Sequence, residues 1–84
     1  MGRYYFHLCD GTDVLLDPDG RDLEEGSIST AALAEARAMI AADVLEGNVR
    51  LDQQIEVRDA SGTIVHRLPF EDAVVVTHLA VRPS

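Results

Sequence analysis

The 84-residue chain carries 15 acidic residues against seven basic ones, all arginine, and the resulting net charge of −8 sets it against nucleic-acid backbones and anionic membrane surfaces as partners. With 46% hydrophobic and 26% charged residues and a mean hydropathy near zero, it has the composition of one small globular domain with a single modest core. No run approaches the roughly 20 apolar residues that a membrane-spanning helix needs, the N-terminus lacks the pattern of a secretory leader, and a lone Cys9 leaves no internal disulfide, so a cytoplasmic domain held by core packing is expected.

The run Arg3-Tyr4-Tyr5-Phe6-His7-Leu8-Cys9 alternates as a half-buried antiparallel strand, with Tyr4, Phe6 and Leu8 on the core face and Arg3, Tyr5, His7 and Cys9 on the other. Asp10-Gly11-Thr12-Asp13 supplies residues that tolerate a tight turn, and Val14-Leu15-Leu16 returns as a second strand, completing a hairpin. Asp17-Pro18-Asp19-Gly20 then turns the chain, and residues 21–28 read as an acidic connector.

A helix is predicted from Ser29 or Thr30, either of which can cap it, through Glu46. Residues 31–46 contain seven alanines and neither Gly nor Pro, and Gly47-Asn48 offers a left-handed end. Leu33, Ala36, Ile40 and Val44 form the stripe expected to lie on the sheet, flanked by Met39 and Ala32. Leu45 with Ala34, Ala38, Ala41 and Ala42 forms a second, weakly polar face suited to packing against another subunit.

Residues 53–58 alternate Ile55 and Val57 against Gln54, Glu56 and Arg58, a strand with one wet face. Asp59-Ala60-Ser61-Gly62 is the next turn. Residues 63–68 form the partner strand, with Ile64, His66 and Leu68 on one side and Val65 and Arg67 on the other, and Pro69 ends the ladder. Phe70-Glu71-Asp72 is read as a turn, and the valine-rich residues 73–81 as a further strand or a short helix. The expectation is one α+β domain over residues 1–84, an antiparallel sheet of two hairpins packed on one helix in the order β-β-α-β-β, with an optional fifth strand at the C-terminus.

The segments RYYFHLCDG and DPDG, the Ala32/Glu35/Ala36 spacing in the helix, and then IEVRDASGTIVHRLPF and DAV resemble an uncharacterised bacterial family of short proteins of unknown function. Its members open with an Arg-Tyr-Phe-Phe-His-like strand. The resemblance spans about residues 3–74 and rests most on the first strand with Asp10-Gly11 and on the Pro69-Phe70 pair. It implies a fold and carries over no functional residue, because the family has no assigned activity. Cys9, where similar proteins often have a polar or charged residue, and the tail from Val75 depart from the pattern. The element order is also similar to that of the small antitoxin domains of toxin–antitoxin pairs, at the level of fold alone.

Few residues suggest chemistry. His7 and Cys9 share a strand face, and His66 on a neighbouring strand would complete three candidate metal ligands, but no CxxC or HxxxH pair accompanies them, so ordinary strand placement is expected and no metal. Asp10, Asp13, Asp17, Asp19, Asp22, Glu24 and Glu25 resemble raw material for a calcium loop, yet Gly20 directly after Asp19 breaks the required register. Against Arg3 and Arg21, these seven acids give residues 1–26 a charge of −5, a field that steers towards it a basic partner. Ser27, Ser29, Thr30 and Ser61 sit at caps and turns with neither a nucleophile elbow nor an activating base.

No catalytic residue, cofactor or metal site is therefore assigned. The sequence is read as a non-catalytic protein-interaction domain with an acidic surface, homodimeric, binding a protein partner and neither nucleic acid nor membrane. Two alternatives stand beside it: an antitoxin-like regulatory module that binds a basic protein and, more remotely, a metal-binding or hydrolytic enzyme in which His7, Cys9 and His66 converge.

Overall fold

The computed structural model describes residues 1–77. These form one helix and an antiparallel sheet: β1 (Gly2–Asp10), β2 (Asp13–Leu15), β3 (Arg21–Leu23), α1 (Ile28–Glu46), β4 (Gln53–Asp59) and β5 (Ile64–Pro69). The α+β architecture of two hairpins and a covering helix is the one that the alternation and helical spacing predict. One strand lies where composition suggests a connector. Arg21, Asp22 and Leu23 pair with Tyr4, Arg3 and Gly2, so a fifth strand exists in this part of the chain. Residues 73–77 hold no regular element, and the remainder of the further strand or helix predicted over 73–81 falls outside the described residues.

Strand β1 is the long central member because eight residues without Gly or Pro follow Gly2. On one side it pairs along most of its length with β4, Phe6 opposite Val57 and Leu8 opposite Ile55. Its other edge is shared: β3 takes residues 2–4 and β2 takes residues 8–10. Strand β5 adds to β4 with a bulge at Val57/Arg58, so that His66 pairs with Val57 and Ile64 with Arg58, leaving Val65 unpaired. The bulge breaks the predicted series of Ile64, His66 and Leu68 on one side.

The core lies between the sheet and α1. Phe6, Ile55, Val57, Ile28, Ala32, Ala36, Ile40, Phe70 and Ala73 are buried together, with Tyr4, Leu8, Leu33 and Met39 packed against them. The buried helix positions repeat strictly every four residues, and alanines at two of them let the helix lie close on the strands. Val44, expected in this stripe, is 58% exposed: the packed row ends at Ile40 and the last turn continues beyond it. Phe70, expected only in a turn, is wholly buried, because the short 3₁₀ turn at Phe70–Asp72 folds its ring under the helix and Arg37 Nε holds that turn by donating to the Ala73 carbonyl at 2.8 Å.

The helix starts earlier than predicted. A 3₁₀ turn at Glu25–Ser27 leads straight into it, Ser27 already has helical dihedrals, and no side chain caps the first turn. Its end is as predicted: Gly47 takes φ 79°, its amide bonds to the Val44 carbonyl at 3.0 Å, and the Asn48 amide to that of Asp43 at 3.1 Å, closing the last turn.

Candidate interaction surface

The sheet face away from α1 is built by the alternate residues of its central strands. Register brings Tyr5 beside Arg58, His7 beside Glu56 and Cys9 beside Gln54, while Glu56 also faces Arg67 on β5. Glu56 is buried by these neighbours and uses both carboxylate oxygens: Oε1 accepts from Arg58 Nε at 2.7 Å, and Oε2 lies 3.7 Å from Arg67 Nε. The Tyr5 and His7 rings stack with centroids 6.4 Å apart. Burial, with the negative charge of Glu56, pushes the Cys9 thiol above its ordinary value, which keeps it protonated and weakly nucleophilic.

His66 is on the opposite face, since its partner Val57 pairs on its other side with Phe6, in the core. His7, Cys9 and His66 therefore do not converge, and among the described residues no group of three or more His, Cys, Asp or Glu side chains is placed to hold a metal ion. Ser27, Ser29 and Thr30 lie at the start of α1. Ser61 is engaged in its turn, donating from Oγ to Asp59 Oδ1 at 2.6 Å and from its amide to the same oxygen at 2.9 Å. These bonds, with one from the Thr63 amide, hold the Asp59 carboxyl below the ordinary range.

Asp17 is the polar hub that sequence reading missed. Between the stretches of β1 covered by β3 and β2, the edge at residues 5–7 has no strand partner, and Asp17 occupies that gap. Its Oδ2 accepts from the Phe6 amide at 3.1 Å, and its Oδ1 from the amides of Gly20 at 3.2 Å and Asp19 at 3.4 Å. Burial alone would raise the carboxyl's pKa, but these amides and the nearby Arg21 outweigh it and hold the group below the ordinary carboxylate value. The local Asx turn is readable in Asp17-Pro18-Asp19-Gly20. The bond to Phe6, eleven residues away, is not.

The seven acids of the N-terminal third divide by partner. Asp10 is paired with Arg50 at 2.6 Å, Asp22 with Arg3 at 3.2 Å, and Asp17 with backbone amides. Among the described residues, Asp13, Asp19, Glu24 and Glu25 have no ion pair.

Among the described residues, the helix and the sheet each leave an apolar surface exposed. The outer side of α1 presents Ala34, Ala38, Ala41, Ala42 and Leu45, as predicted, and Leu45 is 90% exposed. The second, at the β2 edge, was not anticipated: Val14, Leu15 and Leu16 are all largely exposed beside a groove between β2 and α1. No helix in the described residues is long and apolar enough to cross a membrane.

A family model described as "Domain of unknown function (DUF6894)" matches residues 3–71. No curated protein and no solved structure matches the chain.

Proposed function

Because the chain belongs to this family of domains of unknown function, whose description assigns no activity, we propose a function from its surface: a non-catalytic protein-interaction domain of the cytoplasm that pairs with a second copy of itself and offers an acidic end to a protein partner. The outer face of α1 carries this reading. Ala34, Ala38, Ala41 and Leu45 recur at spacings of four, three and four residues on the side away from the sheet, the seam by which two helices pack with small residues between them. A fully exposed leucine beside them would anchor such a contact, and a closed two-fold pair would cover the same patch on both copies.

Light scattering tests it. The wild-type chain is expected to show twice the 9.2 kDa of a single chain, and Leu45→Glu a single chain with an unchanged circular dichroism spectrum. A wild type that stays monomeric at high concentration removes the pairing.

Asp13, Asp19, Glu24 and Glu25, which have no ion pair among the described residues, support a second reading, an antitoxin-like module that neutralises a basic protein. A neighbouring gene encoding a basic protein that binds the domain in stoichiometric amount would favour it over self-association alone.

A further inference from the structure

We infer that the free edge of β2 is a strand-addition site for an extended peptide with an apolar centre and basic ends, an inference that rests on the reading of the domain as an interaction module and names the chemistry of its partner. Strand β2 ends the sheet on its side: it pairs only with β1, and no strand lies beyond it among the described residues. A strand added there would gain backbone hydrogen bonds from the edge and place alternate side chains on the two faces of the sheet.

Beyond Asp13 this short edge presents apolar side chains to such a segment, where the other edges present charge. Natural edges are blunted by shortness, charge, proline or bulges, and three-residue β2 is protected by its length and by Asp13 alone. The opposite edge, β5, has the last three in Arg67, Pro69 and the bulge at Val57/Arg58, and β3 has Arg21 and Asp22. Along β2 the side chains of Val14 and Leu15 stand uncovered instead, and Leu16 continues the run; Leu15 is 68% exposed. On the helix side the edge opens into a groove of about 240 Å³ whose apolar wall includes Phe6, Leu8, Leu15, Leu16 and Met39, room for one aliphatic side chain of the added strand. Of its polar residues, Arg21 and Glu35 are joined to each other at 3.0 Å, Arg21 lies 4.3 Å over the Phe6 ring, and the Asp17 carboxylate is taken up by the amides of Phe6, Asp19 and Gly20, so they ask for no charge from the occupant.

The charge around the run selects the occupant. Asp13 and Asp19 bracket it, and neither carboxylate has an ion pair among the described residues, although the Arg3 guanidinium reaches the Asp19 carbonyl at 2.7 Å; the chain as a whole carries −8. A second copy pairing through β2 would bring these same acids together. An extended segment with arginine or lysine near its two ends would meet them favourably.

The test is a titration of the ¹⁵N-labelled full chain with a short synthetic peptide of alternating valine and threonine flanked by arginines, followed by amide shifts and, in the same samples, by light scattering. Shifts centred on residues 13–16 are expected. Affinity should fall several-fold in Asp13→Asn combined with Asp19→Asn and again with added salt, and binding should vanish in Leu15→Glu or when the peptide's edge-facing amides are N-methylated. Binding should persist in Leu45→Glu, which separates this site from pairing through α1. No shift at millimolar peptide, equal binding of the N-methylated peptide, or a dimer that survives Leu45→Glu and dissociates in Leu15→Glu would each overturn the inference.

Discussion

The amide of Asp17 donates to Nδ1 of His7 at 3.0 Å, while the carboxylate of the same aspartate takes the amide of Phe6, next to His7 in the chain. One loop residue thus completes both the backbone and the side-chain bonding of β1 where the neighbouring strands leave it uncovered. The bond fixes the imidazole as the neutral tautomer with its proton on Nε2, because Nδ1 must be an acceptor. In ¹⁵N spectra, the neutral His7 ring should show an unprotonated Nδ1 and a protonated Nε2. His7→Phe should keep the ring stacking against Tyr5 but strand the Asp17 amide, costing about 1 kcal/mol in chemical denaturation.

Asp17 itself should govern acid stability. Its carboxyl lies below the ordinary value in the folded state, so the charged form contributes stability that is present above the unfolded pKa and lost as pH falls through the folded one, a window below about pH 4. Asp17→Asn cannot accept all three amide bonds. After allowance for solvent at this half-buried site, it should cost about 1–2 kcal/mol at neutral pH. Denaturation midpoints measured down the pH scale should converge between mutant and wild type below that window.

Much of this fold was legible because its long elements follow one rule each. Tyr4, Phe6 and Leu8 face the core as alternation requires, and so do Ile55 and Val57; alanine-rich residues 31–46 are helical and stop at Gly47. What was missed depends on distant contacts. Arg21, Asp22 and Leu23 have no β-branched or aromatic residue, and they become a strand only because β1 offers them an open edge. The side chains of Asp17 and Phe70 act on residues that lie far away in the chain, to which no local spacing points. The exposed β2 edge was hidden for a related reason. Val14-Leu15-Leu16 reads simply as the second strand of a hairpin, and only the fold shows its side chains left exposed among the described residues.

Phe70 and Val44 offer a paired test of where the core ends. Phe70 is wholly buried among the helix and sheet residues, so Phe70→Ala should leave a cavity and cost about 3–5 kcal/mol, comparable with the 2–5 kcal/mol or so expected for Ile40→Ala. Val44, which helical spacing alone would place in the same core, should tolerate alanine within about 0.5 kcal/mol. Thermal or denaturant unfolding of the three variants would show whether the packed row stops at Ile40.

Two glycines with similar backbone angles should respond differently to alanine. Gly20 (φ 66°) and Gly47 (φ 79°) both occupy the left-handed region, where a side chain costs about 1–2 kcal/mol. A Cβ at Gly47 would meet open space, so Gly47→Ala should cost no more than this. A Cβ at Gly20 would lie 2.8 Å from the Tyr4 carbonyl oxygen and 2.9 Å from the Tyr5 ring. The carbonyl belongs to the central strand and cannot withdraw, so the loop must lift, and with it the Gly20 amide that bonds to Asp17. Gly20→Ala should therefore destabilise the domain well beyond Gly47→Ala, and hydrogen exchange should quicken at the amide of Phe6 in the first variant alone, because that amide depends on Asp17 staying in place. Equal losses in the two variants would mean that the close approach of this loop to β1 contributes nothing, and that Asp17 holds its position without it.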